Sequence, residues 1–232
     1  MSAFILVDFD GTIVRQDATD LILERFAPPE WRVIEDDWAA GRIGSRECLA
    51  RQIDLVRATE QDLDELIGEL EIDPAFGDFA AQCRELGWEV VIGSDGLDRV
   101  VTRVLRRAGL DLPHVSNRLV AAGADRWRVE FPYFASACRS SSGTCKCAIA
   151  GRTMAPAVLI GDGRSDFCVA AEAHYVLAKG KLADYCRKTA TRHIEIEGFA
   201  DAIAVLPRLF GADTLLHAGG RRQITAEGLR QA

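Results

Sequence analysis

Phe4-Ile-Leu-Val7 runs straight into Asp8-Phe-Asp-Gly-Thr12, so an apolar stretch long enough for one buried strand ends on two carboxylates two positions apart. Alternate residues of a strand share a side. Asp8 and Asp10 therefore point the same way if the chain stays extended, and lie close together if it curls; Gly11 permits the turn out. In open α/β sheets ligands bind outside the carboxyl ends of strands, and an acid pair at such an edge suits a metal together with an anionic group. A strand followed by an Asp-Gly hairpin turn is the plainer reading of the same residues. An EF-hand loop fits poorly, because Ile13 stands where that loop needs glycine and a strand, not a helix, precedes it.

The rest of the chain divides in two. Residues 17–72 read as consecutive amphipathic helices with no convincing strand. Asp17 with Asp20 resembles a capping box opening a helix through Leu21, Ile22 and Phe26, which Pro28-Pro29 stops. Trp31, Ile34 and Trp38 keep helical spacing as far as Gly41. Ser45 is placed to cap a helix bearing Leu49, Ile53 and Val56, and Thr59 with Asp62 opens another through Leu63, Leu66, Ile67 and Leu70. From residue 75 the pattern becomes alternating helix and strand, the signature of a parallel sheet with crossovers. Strands are expected at Trp88–Ile92, Ala157–Ile160 and His174–Leu177, with a small hairpin from 115–121 and 126–131 around Gly123. Helices are expected after Phe76, Leu97, Thr144, Ser165 and Phe199, and the segment from about His217 is expected to fray. This gives a core of residues 1–14 and 75–232 with a helical insert at 15–74.

A length of 232 residues accommodates such a core plus an inserted lobe. The net charge of −7 argues against general nucleic-acid binding and means that a phosphate ligand needs a locally positive pocket. A divalent cation would supply one. No stretch reaches membrane-spanning length, and the Met-Ser-Ala start shows no leader pattern, which points to the cytoplasm. Seven cysteines then read as reduced thiols. Cys138, Cys145 and Cys147 could ligate a metal, but their spacing lacks the usual partner pair.

Three further segments place polar groups at expected strand ends. Ser94-Asp95-Gly96 follows Ile92 and precedes a helix, where a hydroxyl and successive backbone N–H groups can cradle an anion. Gly161-Asp162-Gly163-Arg164-Ser165-Asp166 follows the strand ending at Ile160 and adds two carboxylates. Lys146 is the isolated lysine of four, the others lying at 179–188. Its compact ammonium, placed beside a phosphate and a carboxylate nucleophile, would offset the repulsion between them. Each segment alone also reads as a plain turn, cap or solvated charge.

In the order Asp-x-Asp-Gly-Thr, Ser-Asp-Gly, Lys, Gly-Asp-Gly-x-Ser-Asp, the four together resemble the haloacid-dehalogenase-like superfamily of phosphohydrolases, on Asp8, Asp10, Thr12, Ser94, Lys146, Asp162 and Asp166. The helical insert directly after the first motif looks like the cap of the subfamily containing phosphoserine phosphatase. Within it, Phe-Ala-Pro-Pro-Glu-Trp at 26–31, Ser-Asp-Gly-Leu-Asp at 94–98, Ser-Asn-Arg-Leu at 116–119 and Gly-Thr-Cys-Lys-Cys at 143–147 look closest to the branch of 2-hydroxy-3-keto-5-methylthiopentenyl-1-phosphate phosphatases of methionine salvage. Phosphoserine is the alternative substrate, weakened because Gln52 falls near the place of that subfamily's substrate-binding arginine. A phosphate-binding regulator without turnover is the alternative outside enzymes.

The resemblance implies an α/β fold: a Rossmann-like parallel sheet core with helices on both faces and an inserted α-helical cap. It implies Asp8 as nucleophile and Asp10 as general acid and base, with Ser94, Asp95, Gly96 and Lys146 on the phosphate oxygens. Mg²⁺ would be held by Asp8, the Asp10 backbone carbonyl and Asp162, with Asp166 orienting that shell from outside. Arg15, Asp17, Gln52 and Arg164 are the residues expected to influence specificity. The expected partner is a small phosphorylated molecule, with no nucleic acid and no membrane, and the expected state is a monomer or homodimer.

Overall fold

The computed structural model describes residues 2–209 and the short strand Ile224–Thr225; the remainder of the segment expected to fray lies outside the described residues. Strand β1 (Phe4–Val7) is followed by four helices, α1 (Ala18–Phe26), α2 (Trp31–Ala39), α3 (Ser45–Ile53) and α4 (Glu60–Glu69). Helix α5 (Phe76–Glu85), β2 (Glu89–Leu97), α6 (Asp98–Arg107), β3 (His114–Ala121) and β4 (Trp127–Glu130) come next, then α7 (Lys146–Ala150) and β5 (Ala157–Gly161). Helix α8 (Phe167–Ala170), β6 (Tyr175–Ala178), α9 (Gly180–Thr189), β7 (Ile194–Glu195), α10 (Phe199–Val205) and β8 (Ile224–Thr225) complete the series.

The strands form one sheet in the order β4-β3-β2-β1-β5-β6-β7-β8. Every pairing is parallel except β3 with the edge strand β4. β1 is central because all four of its residues are apolar and buried, which only a strand covered on both faces satisfies. Alternation sends Ile5 and Val7 into one core layer with residues of α5, α6 and α10, and Phe4 and Leu6 into a second layer with α7, α8 and α9. Each fully buried aliphatic side chain contributes roughly 1.5–3 kcal/mol of transfer free energy, so β1 anchors both layers. The chain runs outward from β1 through β2 and β3, then returns to β5 on the other side of β1. This reversal opens a crevice at the carboxyl ends of β1, β2 and β5.

Helices α1–α4 pack their apolar faces into the first layer; Ile22, Leu23, Ile53, Leu63, Leu66 and Ile67 belong to the same cluster as Ile5 and Val7. Their neck is a single bridge between Val14 and Ile72. α4 is tied to α6 by Arg99 and Arg103 pairing with Asp64 and by Arg107 donating to the Ile67, Gly68 and Leu70 carbonyls at the α4 C-terminus. The Ile67 carbonyl also accepts from the Leu70 N–H at 3.3 Å; carbonyls in the last turn of a helix run short of intrahelical donors, and a cation there meets the negative end of the helix dipole.

Two local expectations need correction. Ser45 does not cap α3: Gly44 holds that position, and the Ser45 hydroxyl accepts from the Trp38 indole N–H at 2.9 Å. The tertiary contact offered a stronger partner than a free helix amide. α9 and β7 were not expected at all, because the run Gly180–Thr189 carries four charged residues and only Leu182, Ala183 and Cys186 turn inward. The Thr59–Asp62 capping box is present as expected.

Candidate active site

Beyond Val7 the chain curls instead of staying extended. The N–H groups of Thr12, Ile13 and Val14 all donate to the Phe9 carbonyl, at 3.2, 2.8 and 3.1 Å, and Phe9 is fully buried in the first core layer. Asp8 stays attached to the sheet through its N–H to the Ile160 carbonyl at 2.8 Å, and its Oδ1 accepts from Phe9 N–H at 2.8 Å. Gly11 turns the chain at φ +67°, and a β-carbon there would overlap the Asp162 carboxylate. Thr12 Oγ1 donates to Asp162 Oδ1 at 3.1 Å.

Asp10 has partners of its own. Its carboxylate accepts from Ala18 N–H at 2.9 Å and from Ser94 Oγ at 3.4 Å. Burial first, then the charges of Asp17 and Asp8, push its carboxyl well above the usual range, which keeps a proton available at this position. Ala18 begins α1, so the first free amide of the inserted helices positions Asp10. The motif did not reveal that amide; the Asp17 cap, which accepts from Thr19 and Asp20 N–H, fixes where it lies.

Lys146 opens α7 and is buried. Its Nζ lies 2.7 Å from Asp8 Oδ1 and 2.6 Å from Asp166 Oδ1, and donates to Ser165 Oγ at 3.0 Å. Burial opposes the ammonium charge, but Asp166 and Asp8 together outweigh it and raise the Lys146 pKa. Ser165 completes the three donors' partners and carried no signal of its own beyond its place in the loop.

Ser94-Asp95-Gly96 requires a correction. These residues do not sit at a helix N-terminus; they belong to β2, which runs to Leu97, and α6 starts only at Asp98. The strand continues because β3 pairs with it beyond Gly93, across an irregularity in register between Gly93 and Leu97. Ser94 is fully buried, and its Oγ accepts from Gly96 N–H at 2.9 Å. A β-carbon on Gly96 would lie 2.6 Å from Asp10 Oδ2. The Asp95 side chain turns away to accept from Thr144 N–H at 2.9 Å and Asn117 Nδ2 at 3.3 Å, while Thr144 Oγ1 donates to Asn117 Oδ1 at 3.2 Å. Burial raises the Asp95 carboxyl against those hydrogen bonds. Asp95, Asn117 and Thr144 thus brace the approach to Lys146.

Asp162 follows β5, and burial together with Asp8 pushes its carboxyl up to about 6. Carboxylate oxygens of Asp8, Asp162 and Asp166 lie within 4.8 Å of one another, forming the metal-capable cluster found among the described residues. Asp166, expected outside the metal shell, therefore stands in the cluster, fully buried, and the Asp10 carboxylate does not. The donor set fits a hard divalent cation: the ligands are all oxygen. Three carboxyl groups face one ammonium there.

The four residues expected to influence specificity do not come together. Arg15 is exposed at the neck, with its N–H to the Glu71 carbonyl. Asp17 caps α1. Gln52 is buried, and its Nε2 donates to Glu35 Oε2 at 2.9 Å. Arg164 reaches from the Asp162 loop to α2, donating to the Ala39 carbonyl at 3.3 Å with its guanidinium 5.0 Å from the Trp38 ring centroid.

An open parallel sheet whose switch-point crevice gathers three carboxylates, a buried lysine and a buried serine defines a metal-capable α/β hydrolase. Residues 5–171 match the model of the haloacid dehalogenase-like hydrolase family, and the chain belongs to that family, as a phosphoric monoester hydrolase. It is 32% identical over 213 residues to a 2-hydroxy-3-keto-5-methylthiopentenyl-1-phosphate phosphatase of Brevibacillus brevis, covering 88% of this chain and 95% of that one. A phosphatase of the same name from an Exiguobacterium species is 29% identical, covering 89% and 98%. Among solved structures, a substrate-bound phosphoserine phosphatase superposes with a TM-score of 0.67 at 19% identity, over 88% of this chain and 97% of that one; this likeness concerns the fold.

Proposed function

We propose that the protein is a Mg²⁺-dependent phosphatase that hydrolyses a small phosphate monoester through an aspartyl-phosphate on Asp8. The observation that carries this reading is the Asp8–Lys146–Asp166 arrangement beside Asp162 and Asp10. Asp8 attacks phosphorus in line, its charge held in place by Lys146, and water then hydrolyses the acyl phosphate. Asp10 protonates the departing alkoxide and later accepts a proton from the attacking water, a role suited to a carboxyl raised by burial. Ser94 Oγ, held by Gly96 N–H, the Asp95 N–H and Lys146 bind the non-bridging oxygens. Asp8, the Asp10 carbonyl and Asp162 would hold Mg²⁺, with Asp166 anchoring Lys146 at the edge of that set. When bound, the ion supplies the positive charge that brings the phosphate and the Asp8 carboxylate together.

Residues 15–74 act as the cap over a core of 1–14 and 75–232, excluding water and selecting the alcohol part of the substrate. Gln52 shapes the cap through Glu35, and Arg164 holds the tip of α2 and α3. The substrate is 2-hydroxy-3-keto-5-methylthiopentenyl-1-phosphate, placing the enzyme in methionine salvage; the near full-length similarity to phosphatases of that name supports this. It works in the cytoplasm as a monomer or homodimer, on a small phosphorylated molecule and not on nucleic acid or membrane. Steady-state rates on this enol phosphate, on phosphoserine and on a generic aryl phosphate, with and without Mg²⁺, test the reading. The enol phosphate is expected to show the highest kcat/KM. Asp8→Asn is expected to lower turnover on all three by orders of magnitude; undiminished rates in that variant would remove Asp8 as the nucleophile.

A further inference from the structure

The segment between β4 and α7 touches the inserted helices on its way to Lys146. Among the described residues, two other than glycine have positive φ, Ala190 at +54° and Ser141 at +49°. Ala190 is the C-cap of α9, where a left-handed residue ends many helices. Ser141 ends no helix, and a non-glycine residue held in that region needs surroundings that fix it, an arrangement that gathers at functional sites. What fixes Ser141 is the start of α3. Its carbonyl accepts from Arg46 N–H at 3.0 Å, one of the first-turn amides that have no acceptor within the helix. The Arg46 guanidinium lies 3.8 Å from the Phe134 ring centroid, within cation–π reach. Gly44, the N-cap of α3, has ordinary extended backbone, so its conformation does not require glycine; a β-carbon there would lie 2.5 Å from Ser141 Cβ. The close approach of the two loops accounts for glycine at a position where serine, asparagine or aspartate caps better.

Beyond Ser141 the chain has no slack. Residues 142–146 are all buried. Ser142 Oγ lies 2.9 Å from Ser140 Oγ, and a β-carbon on Gly143 would lie 2.4 Å from both Asn117 Oδ1 and the Phe131 ring. Thr144 N–H is held by Asp95, and Cys145 N–H donates to the Tyr133 carbonyl at 3.2 Å. Lys146 follows directly, and a close-packed run of this kind transmits displacement. The turn between α2 and α3 also reaches the other flank of Lys146: Arg164, which donates to the Ala39 carbonyl, precedes Ser165, which accepts from Lys146 Nζ at 3.0 Å. The Trp38 indole and Ser45 hydroxyl hold that turn together. Resting on the phosphatase reading above, we propose that Ser141 is a positioning residue through which docking of Gly44–Arg46 aligns Lys146 with Asp8. Seating of the inserted helices and completion of the catalytic set are then one event, so a substrate that lets α3 seat also brings the Lys146 ammonium into register. About 1 Å of misplacement in such a site costs on the order of 10²-fold in rate.

The test is a double-variant cycle in the full-length protein, assayed with Mg²⁺ and 4-nitrophenyl phosphate. Gly44→Ala drives a β-carbon into that of Ser141 and is expected to lower kcat about tenfold or more, with KM changed less than about threefold and Tm by less than about 4 °C. Ser141→Gly takes up the left-handed conformation freely and is expected to keep kcat within about twofold. Together the two substitutions clear the overlap, so the double variant is expected to recover most of the Gly44→Ala loss, a coupling that independent sites do not show. Ser141→Val, β-branched at a positive φ, is expected to mimic Gly44→Ala. Hydrogen–deuterium exchange of the amides of residues 142–147 is read alongside, since it needs no turnover. Faster exchange there in Gly44→Ala, unchanged exchange in β1 and α4, and reversal in the double variant are expected. Wild-type kcat in Gly44→Ala, no recovery in the double variant, or unchanged exchange at 142–147 would each overturn the coupling. A wild-type protein that turns over no phosphate ester would fail the phosphatase reading instead, and the exchange pattern then decides by itself whether the Gly44 segment sets the Lys146 segment.

Discussion

Replacing Lys146 by methionine isolates the electrostatic centre of the site. Methionine retains an unbranched side chain of similar reach, so the main loss is the ammonium 2.7 Å from Asp8 and 2.6 Å from Asp166. Both carboxylates are nearly inaccessible to water, with side-chain exposures of 7% and 0%, so solvent cannot replace the missing charge. Removing one partner of a buried ion pair costs about 3–5 kcal/mol. For a chain of this size each kcal/mol moves Tm by roughly 2–4 °C, giving a drop of about 6–20 °C. The measurement is thermal unfolding followed by circular dichroism in EDTA, so that a bound cation does not mask the deficit. Asp166, already raised by burial and by Asp8, loses the positive charge that opposed the rise. A carboxyl raised above its unfolded value contributes stability at low pH that is lost as pH rises through the folded value. The deficit is therefore expected to be smaller at pH 5 than at pH 8. The double variant Lys146→Met with Asp166→Asn removes one stranded carboxylate and is expected to recover at least half of the loss, while turnover stays reduced by about 10²–10³ as for other lost oxyanion donors. A single variant that loses under about 1 kcal/mol, or a double variant less stable than the single, would refute the account of Lys146 as the counter-charge.

Three further outcomes follow from the same geometry. The metal-free protein is expected to lose stability between about pH 4 and 6, because the Asp162 carboxyl is raised to about 6 and its folded form therefore favours the proton; the loss is at most about 3 kcal/mol. Mg²⁺ should raise Tm at pH 7.5 and leave it nearly unchanged at pH 4.5, and an equal rise at both would count against the carboxylate cluster as the ion's site. Gly11→Ala imposes a left-handed alanine, about 1–2 kcal/mol, and drives a β-carbon into the Asp162 carboxylate; calorimetric titration should show weakened Mg²⁺ affinity, and wild-type affinity would contradict the close approach. Arg164→Ala removes an exposed contact to the Ala39 carbonyl and the Trp38 ring, so Tm should shift by less than about 2 °C while KM rises several-fold; an unchanged KM would show that the α2 tip closes without it.

The class of fold and the polar groups that stand at strand ends were legible because each is a local pattern. An apolar run ending in Asp8 and Asp10, a strand ending in Asp162 and an isolated lysine all survive translation into a parallel sheet, since parallel strands gather their carboxyl ends on one side. The four helices between β1 and α5 were legible from helical spacing and from the Thr59–Asp62 cap. Ser94-Asp95-Gly96 was misplaced onto a helix start because its hydroxyl and glycine suit a cap as well as a strand end, and pairing with β3 decided for the strand. α9 was missed because its inward residues are three in ten and its charges mask the spacing.

What the order of residues determined alone was which chemical groups stand at strand ends, because that depends on neighbours within a few positions. Which of them touch was decided only in three dimensions, across separations of 150 residues between Thr12 and Asp162 or 84 between Ser94 and Asp10. Folding placed Asp166 among the metal-capable carboxylates, turned the Asp95 side chain onto Thr144, and gave Asp10 its partner in the Ala18 amide. Contacts of that kind depend on how helices seat against a sheet, and burial then sets each group's charge by removing water from around it.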